Sequence, residues 1–419
     1  MKIRASSLFL SLLIFSVFLS GCNYKEPASF QQGQVGASGL IVVDKRNLPI
    51  EIETDIEIEI KPDFKFEYEI SNDSILLFPK NDLMIGSEFE IRITHPDGEI
   101  TLDKVVRTPC LTYLTAKTSQ PEIWATCGEG PLQLTDSSGG IIDYAVAKNG
   151  DWIIFSSTNE EGGTDIWKMG RLGENPKIIF SCGEEICDQL AVNSQGAQIA
   201  FRSFSGEEKF YLFTNEGNEL ILIEKGKVSN VDFSPDDSML RYFVNKKGVL
   251  RVFDLKTMKL KSSLESDSDL IGEWEKDSSG FLIGQYKNWG GIALMDLKEI
   301  DVLENSELKI IDGTTSSIYL YEPVFMNDEK IIALIRNEIN ADRKQIWELN
   351  KSGEKTFEIT NDFRYSHSMI TWNSVEGILA FQRYGHTGSN AVPEIWIWNK
   401  NDNSHRIVDD NAAHAEWVY

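Results

Sequence analysis

Positive charge is what this sequence has least of. The chain of 419 residues carries 41 lysines and arginines against 65 aspartates and glutamates, which gives a formal net charge of -24. Nucleic acids and anionic lipid surfaces are bound mainly through cationic side chains, so this balance excludes both as main partners of the folded chain. We interpret the acidity first as a source of solubility, and a cationic partner is the alternative.

The sequence also lacks the short motifs of common enzyme sites. It contains no Gly-x-Ser-x-Gly nucleophile turn, no His-Glu-x-x-His zinc pair, no Gly-x-x-x-x-Gly-Lys-Ser/Thr phosphate loop and no Gly-x-Gly-x-x-Gly fingerprint. A serine-hydrolase domain and the common nucleotide sites are therefore not expected. Neither a metal nor a cofactor is predicted.

A long apolar run occurs only at the beginning of the chain. Lys2 and Arg4 precede the run from Leu8 to Leu19, which is too short for a comfortable transmembrane helix. The run ends in Leu19-Ser20-Gly21-Cys22, which resembles a bacterial lipoprotein box. The resemblance implies that residues 1–22 are a lipoprotein signal peptide and that the Cys22 thiol carries diacylglycerol, with palmitate-type chains in the membrane. An ordinary secreted protein is the alternative.

The predicted location is the exported face of the cell membrane or of the outer membrane. Asn23 follows the lipidated cysteine, whereas an aspartate at this position resembles an inner-membrane retention signal. This difference favours the outer membrane in a cell with two membranes. Residues 23–37 are polar and are interpreted as a flexible tether.

The other four cysteines form an even set, as exported proteins with disulfides do. Cys110 and Cys127 fall opposite each other in a predicted hairpin, so a cross-strand bridge is geometrically natural. Cys182 and Cys187 enclose four residues of a loop, a spacing that suits a small disulfide. Zinc is the alternative from spacing alone, but no second cysteine or histidine pair is close by.

Short alternating runs over residues 38–107 predict a small β-sandwich. Its clearest part is residues 51–60, where isoleucine and glutamate alternate with a period of mostly two. The segment Ser87 to Ile93, after Pro79 to Gly86, resembles bacterial surface-layer Ig-like domains. In this resemblance Phe89 stands where tyrosine is usual.

Residues 108–419 contain a repeated phrase in which a large residue ends one strand, a polar turn follows and a second apolar strand begins. The copies recur every 41 to 51 residues, and their large residues are Val146, Val192, Phe233, Trp274, Phe325, Trp372 and Trp417. Each full unit holds four short apolar pieces, as one blade of a propeller does. The fold predicted for the whole chain is all-β, a seven-bladed β-propeller preceded by the Ig-like β-sandwich.

The phrase is best preserved in Phe233-Ser234-Pro235-Asp236-Asp237, which resembles the TolB-type, WD40-like propeller repeat. This resemblance implies the fold and says little of activity, because such propellers occur both in binding proteins and beside peptidase domains. An isoleucine–tryptophan pair after a polar residue recurs in the third strand, as in Glu122-Ile123-Trp124 and Asp165-Ile166-Trp167. These tryptophans are expected to fill the wedge between blades, and a ligand site is the alternative.

The two ends of the repeat region complement each other. The first unit, Leu111 to Leu134, has three strands and lacks the innermost one, whereas the last copy around Trp417 has only that strand. We therefore expect the strand at 413–419 to complete the first unit and to close the circle, which removes an open sheet edge.

Four of the five histidines lie in the last part of the chain, in or near loops that leave one face of a propeller. The residues expected to gather on this face are Asp362, Arg364, Tyr365, His367, Tyr384, His386, Asp409, Asp410 and His414. Ordinary polar loops, a recognition surface and a metal-assisted lyase or hydrolase site are the three interpretations left open.

The function favoured by these patterns is that of a non-enzymatic, lipid-anchored protein of the cell envelope. Its propeller would be a rigid scaffold that binds an envelope protein, a secreted protein or a surface polysaccharide. The alternative is a metal-assisted carbohydrate-active enzyme, a lyase or hydrolase that uses the histidine-rich loops. The sequence does not identify the ligand.

Overall fold

The fold was analysed in a computed structural model of the full chain. It describes residues 36–37, 41–44, 56–61, 63, 65–70, 74–79, 83–84, 88–94, 100–107, 110–117, 120–126, 131–147, 150–215, 217–266, 270–275, 277–289, 292–302, 306–311, 318–327, 329–337, 343–373, 377–385 and 392–418. The predicted signal peptide and Cys22 lie outside these residues. No helix within them is long and apolar enough to cross a membrane.

Eight strands precede the propeller and pair only antiparallel in the part of the chain that the structure describes. They are β1 (Gly36–Ala37), β2 (Ile41–Asp44), β3 (Glu57–Lys61), β4 (Phe66–Ile70), β5 (Ser74–Pro79), β6 (Leu83–Met84), β7 (Glu88–Thr94) and β8 (Ile100–Arg107). They form the sheets β2-β5-β4 and β3-β7-β8 and the pair β1-β6. Ile60 and Ile91 are paired and buried, as the alternation of isoleucine and glutamate predicts. β1 occupies the last two residues of the predicted tether. The Ig-like relationship stays a prediction.

Seven antiparallel sheets of four strands follow, and the predicted seven-bladed propeller is confirmed. We call the first the composite blade; it contains β9 (Cys110–Thr115), β10 (Glu122–Thr126), β11 (Pro131–Gln133) and β36 (Ala412–Val418). Blade 2 contains β12 (Ile141–Val146), β13 (Trp152–Thr158), β14 (Thr164–Gly170) and β15 (Lys177–Ser181). Blade 3 contains β16 (Ile186–Val192), β17 (Gln198–Phe204), β18 (Glu208–Thr214) and β19 (Glu219–Lys225).

The remaining blades follow in chain order. Blade 4 contains β20 (Val228–Phe233), β21 (Met239–Val244), β22 (Val249–Asp254) and β23 (Lys259–Glu265), with a short 3₁₀ turn at Asn245–Lys247. Blade 5 contains β24 (Leu270–Trp274), β25 (Gly280–Trp289), β26 (Ile292–Asp301) and β27 (Ser306–Ile311). Blade 6 contains β28 (Ile318–Asn327), β29 (Lys330–Asn337), β30 (Gln345–Asn350) and β31 (Lys355–Glu358); blade 7 contains β32 (Tyr365–Asn373), β33 (Ile378–Gly385), β34 (Glu394–Asn399) and β35 (Ser404–Asp409).

The composite blade joins the two ends of the propeller. β36 is its innermost strand and pairs antiparallel with β9, with Trp417 opposite Leu111 and Val418 opposite Cys110. The Thr112 hydroxyl donates to the Glu416 carbonyl over 2.9 Å. The Trp417 indole N–H reaches back to the Thr371 carbonyl of blade 7 over 3.3 Å. Blade 7 and the composite blade are thereby held together.

The core of the propeller lies between neighbouring blades. In the wedge between the composite blade and blade 2, Tyr113 and Ile123 of one sheet pack with Tyr144 and Phe155 of the other, and all four are buried. Trp372 of blade 7 donates its indole N–H to the Met326 carbonyl of blade 6 over 3.1 Å. Large residues at the ends of the inner strands therefore link adjacent blades, as a tapering wedge requires.

Each of the seven innermost strands contains a β-bulge, and in five of them it has the same position relative to the large repeat residue. The register shifts lie between Ile141/Asp143, Asp188/Ala191, Ser229/Asp232, Ile271/Trp274, Tyr321/Val324, Ser368/Thr371 and Ala413/Glu416. In five of the seven strands, a bulge residue has a left-handed backbone three positions before the large repeat residue. They are Gln189, Asn230, Glu322, Met369 and His414, with φ between 47° and 52°. A bulge re-aims side chains and bends the strand, so the recurrence sets what each blade presents at the centre.

Deletion of residues 413–419 is expected to destabilise the whole propeller. It removes most of β36, exposes the edge of β9 and takes Trp417, which is 6% exposed, out of the core. Replacing Trp417 alone by alanine is expected to cost about 3–5 kcal/mol of unfolding free energy. Thermal and denaturant unfolding of the wild type and both variants measure the effect.

Asp410 supplies the control for this experiment, because it is exposed and lies just before β36. Asp410→Ala should change the unfolding free energy by less than about 0.5 kcal/mol. A truncated chain that melted at the wild-type temperature would show that the propeller does not depend on this closure.

Candidate functional site

The residues predicted to form the histidine-rich face belong to strand ends and loops on one face of the propeller. Tyr365 at the start of β32 lies opposite Gly385 at the end of β33, and Arg383 lies opposite Glu394 at the start of β34. Asp409 at the end of β35 lies opposite Ile395. The backbone therefore brings these segments to the same face. His386 lies outside the described residues.

His367 is an internal residue of this group. Its side chain is 2% exposed and lies edge-on to the Phe381 ring, with the ring centroids 5.3 Å apart. Nδ1 is 2.9 Å from the Lys344 carbonyl oxygen, so Nδ1–H donates this hydrogen bond. Burial lowers the pKa of His367 from its usual 6.5 to about 4. The imidazole is thus a neutral packing group that links blade 7 to blade 6.

The loop before β32 is held by local interactions. Arg364 Nη2 donates to Asp362 Oδ2 over 2.7 Å, and this arginine is exposed. The Tyr365 ring is half-buried beneath the guanidinium of Arg383, which lies 3.8 Å from the ring centroid. Tyr384 is half-buried as well. Of the nine predicted residues, Arg364 and Asp410 are thus the exposed ones within the described part of the face.

Asp409 forms an ion pair at the junction between the two ends of the propeller. Its side chain is buried, and its Oδ2 lies 2.5 Å from Nζ of Lys117 in the composite blade. The Asn411 backbone N–H donates to its Oδ1 over 3.0 Å. This carboxylate therefore orders the turn that leads from β35 into β36.

His414 lies at the bulge of β36, beside two carboxylates at the propeller centre. Its Nε2 is 3.1 Å from Glu416 Oε1, and its Nδ1 is 4.0 Å from Asp143 Oδ1. Burial lowers the pKa of His414, but the hydrogen bond and charge of Glu416 and the charge of Asp143 outweigh it and raise the pKa above 6.5. Burial raises the pKa of Asp143 to about 6.

These carboxylates connect neighbouring blades. Glu416 Oε2 accepts the Val146 backbone N–H over 3.0 Å, and Asp143 Oδ2 accepts the Leu190 backbone N–H over 2.8 Å. Glu322 likewise accepts the Met369 backbone N–H of the next blade. Acidic side chains at the centre therefore satisfy backbone donors of the following blade. Within the described residues, no three His, Cys, Asp or Glu side chains converge as ligands for a metal.

A cleft of about 660 Å³ opens on the same face, between the composite blade and blade 2. Its lining comes from the connection after β11, from β13 and the β13–β14 loop, and from β14, β15 and the connection between them. The lining residues are Leu134, Thr135, Asp136, Ser137, Ser138, Phe155, Ser157, Thr158, Asn159, Glu160, Glu161, Asp165, Trp167, Pro176 and Ser181. Ligand sites commonly have volumes of roughly 300–1,000 Å³, and this cleft falls in that range.

One wall of the cleft is held by Glu122, which is 2% exposed. Its Oε1 accepts both the backbone N–H and the hydroxyl of Ser137, over 2.9 and 2.7 Å. Its Oε2 accepts the Thr135 hydroxyl over 2.6 Å, and the same hydroxyl accepts the Ile123 N–H. A buried carboxylate with three donors fixes the connection between β11 and β12.

The opposite wall is held by Asn159 and by a disulfide. Asn159 Oδ1 accepts the backbone N–H groups of Glu161 and Gly163, each over 3.0 Å. Its Nδ2 donates to the Gly183 carbonyl over 2.9 Å. Gly183 belongs to the loop closed by the bond between Cys182 and Cys187, whose Cα atoms are 6.4 Å apart. Cys110 is also in a disulfide; Cys127, its predicted partner, lies outside the described residues.

The cleft was not predicted from the sequence, but its framework has a sequence signal. Glu122 and Asp165 are the polar residues that precede the isoleucine–tryptophan pairs. Glu122 accepts a hydrogen bond from the Thr135 hydroxyl, and Asp165 accepts one from the Ser181 hydroxyl. Gln345 has the same position in blade 6, and its Nε2 donates to the Tyr365 carbonyl over 3.0 Å. The residue before each isoleucine–tryptophan pair therefore indicates where a loop between strands is held by hydrogen bonds. The width of the gap between two blades is not indicated by any short sequence pattern.

The pKa of His367 predicts a measurable pH dependence. The unfolded histidine titrates near 6.5 and the folded one near 4, so the unfolded state binds the proton first as the pH falls. Stability present above pH 6.5 is lost between pH 6.5 and 4, by up to about 3 kcal/mol from this residue. His367→Asn keeps a donor near Nδ1 but does not titrate. Denaturant unfolding at pH 7 and 4.5 should give a smaller difference for this variant, and equal differences would contradict the assignment.

No known protein family matches this sequence, and no curated protein matches it. Solved structures do resemble the chain. The β-propeller domain of the Trilobed protease from Pyrococcus furiosus matches with 12% identity and a TM-score of 0.50, over 64% of this chain and 84% of that one. It is described as having an open velcro topology, whereas β36 pairs with β9 here.

Two further structures are similar. A prolyl endopeptidase matches with 10% identity and a TM-score of 0.53, over 80% of this chain and 49% of that one, so the match spans about half of that enzyme. TolB from Acinetobacter baumannii matches with 10% identity and a TM-score of 0.44, over 80% of this chain and 81% of that one. At these identities the likeness concerns the fold alone: the chain contains a β-propeller of an architecture that also occurs in peptidases.

Proposed function

We propose that this protein is a non-enzymatic, lipid-anchored binding scaffold of the cell envelope. The observation that carries the proposal is the cleft of about 660 Å³ between the composite blade and blade 2, whose walls are fixed by Glu122 and Asn159. A site that is held in place before the ligand arrives loses less conformational freedom on binding. Loops on a rigid β-scaffold are also where recognition is commonly found.

The histidine contacts favour binding over metal-assisted chemistry. His367 Nδ1 and His405 Nε2 each hydrogen-bond to a backbone carbonyl oxygen, and His414 bonds to Glu416. A metal site would need these imidazoles to turn towards a shared ligand, whereas burial and packing hold His367 in place. The carbohydrate-active enzyme therefore remains the second candidate without an observation of its own.

The anchor is proposed from the sequence that ends in Leu19-Ser20-Gly21-Cys22. A lipid chain contributes about 0.8 kcal/mol for each buried methylene, and two or more chains hold a protein stably on a membrane. The polar residues after Cys22 would then separate the folded part from the lipid surface. The net charge of -24 suits an anchored protein that does not bind anionic headgroups through its own surface.

The anchor is tested by detergent phase partition of the full chain expressed in a bacterial envelope. The wild type should enter the detergent phase and carry a lipid on Cys22 by mass spectrometry. Cys22→Ala should leave the unmodified protein in the aqueous phase, whereas Ser20→Ala keeps a small residue and should partition as the wild type does. A wild-type chain without lipid would refute the anchor.

The non-enzymatic assignment is tested with the same full chain and a panel of envelope polysaccharides and oligosaccharides, with Mn²⁺ or Zn²⁺ and with chelator. We expect retained ligands of unchanged mass in both conditions. Metal-dependent cleavage products that disappear in His367→Ala and His386→Ala, with the melting temperature of each variant measured alongside, would establish the enzyme instead.

A further inference from the structure

Blade 2 presents two adjacent rows of side chains to the cleft. Phe155 lies opposite Trp167 across β13 and β14, and two residues along the same strands Ser157 lies opposite Asp165. Side chains two positions apart in a strand point to the same side of a sheet. The face of blade 2 that looks towards the composite blade therefore has an aromatic row beside a polar row.

The aromatic row presents the Trp167 ring to the cleft. The Phe155 and Trp167 rings are stacked, with their centroids 6.0 Å apart and their planes inclined by 6°. Phe155 is buried, whereas Trp167 is half-buried. A cage for a quaternary ammonium group needs rings on several sides. A single half-buried ring suits the apolar face of a sugar ring, whose C–H groups pack on aromatic side chains while its hydroxyls remain at the edge.

Trp167 differs from the tryptophans at the same place in other blades. Cations lie over those rings: Nζ of Lys355 is 4.6 Å from the Trp347 centroid, and the Arg383 guanidinium is 3.8 Å from the Trp396 centroid. Trp167 lines the cleft instead. The neighbouring outer strand β11 has three residues and is the shortest outer strand among the described blades. Part of the Trp167 ring is open to the cleft, whereas Phe155 is buried against the composite blade.

The polar row offers a hydroxyl to a ligand. Ser157 lines the cleft and is 6% exposed. A serine hydroxyl can both donate and accept, so a ligand hydroxyl in the cleft can bond to it. Beside it, Asp165 is held by the Ser181 hydroxyl over 2.6 Å and by Asn159 Nδ2 over 3.2 Å.

The charges of the lining decide which sugars fit. Four carboxylates line the cleft, from Asp136, Glu160, Glu161 and Asp165, and none of the described lining residues is Lys, Arg or His. A uronic acid or sulfated sugar would be repelled, and the net charge of -24 adds to this field. Carboxylates are acceptors only, so they pair with ligands rich in O–H or N–H donors.

We propose that the cleft binds a non-anionic oligosaccharide, with one sugar ring on Trp167 and its hydroxyls directed to Ser157 and the carboxylates. The proposal rests on the binding function proposed above and adds the ligand class and the place. A chain of sugars can extend between the two walls that Glu122 and Asn159 hold. Anionic oligosaccharides are disfavoured in this cleft by the charge of its lining.

Isothermal titration of the full chain with neutral and amino-sugar oligosaccharides, and with oligogalacturonate as the anionic probe, tests the proposal. We expect binding of at least one non-anionic probe and at least tenfold weaker binding of oligogalacturonate. Trp167→Leu should weaken binding at least tenfold, Trp167→Phe should retain most of it because an aromatic ring remains, and Ser157→Ala should weaken it severalfold.

Trp347→Leu is the matched control, because this tryptophan has the same strand position but is covered by Lys355. It should bind the probe as the wild type does, and melting temperatures will show that each variant is folded. Equal binding by Trp167→Leu and wild type would place the site elsewhere. If no oligosaccharide bound while the anchored chain retained a defined envelope protein, the ligand class would be wrong and the scaffold function would stand. If neither bound, both proposals would fail.

Discussion

The antiparallel pairing of β36 with β9 is the interaction on which the rest of the propeller depends. Each blade buries its two faces against the neighbouring blades. If one blade lacked its inner strand, apolar side chains between the blades would be exposed to solvent. Val418 and Trp417 supply this cover opposite Cys110 and Leu111. The closure is made by the two parts of the propeller that are farthest apart in sequence, which is why its loss is expected to affect all seven blades.

The same closure places polar groups that at first resemble a catalytic set. His414 and Glu416 lie on β36, and Asp143 lies on the first strand of blade 2, so the cluster exists only because the ring is closed. Its carboxylates accept backbone N–H groups of the next blade, and one of these donors, Leu190, lies within the bulge of β16. Structural demands therefore account for titratable groups at the propeller centre. A perturbed pKa there reflects burial and pairing, which structural networks produce as readily as active sites do.

The cleft lies beside the asymmetric blade that the closure creates. The composite blade takes three strands from the beginning of the propeller region and one from its end, and its outer strand β11 is short. Trp167, which is half-buried, lines the cleft beside this strand, whereas Phe155 is buried in the wedge between the two blades. The buried carboxylate of Glu122 and the disulfide between Cys182 and Cys187 keep the two rims in place. The cleft on which the proposed binding function rests thus lies beside the place where the ring is joined.

The all-β class, seven repeats and the complementary ends followed from the sequence alone, because strand periodicity and turn residues are local and a repeat makes them visible seven times. The spacing of Cys182 and Cys187 indicated their disulfide for the same reason. Only the tertiary structure decided which of the equivalent tryptophans faces a cleft, and that His367 is packed rather than exposed. Those outcomes depend on the distance between neighbouring blades and on the length of one outer strand, and no residue type or short spacing encodes such distances between segments remote in sequence.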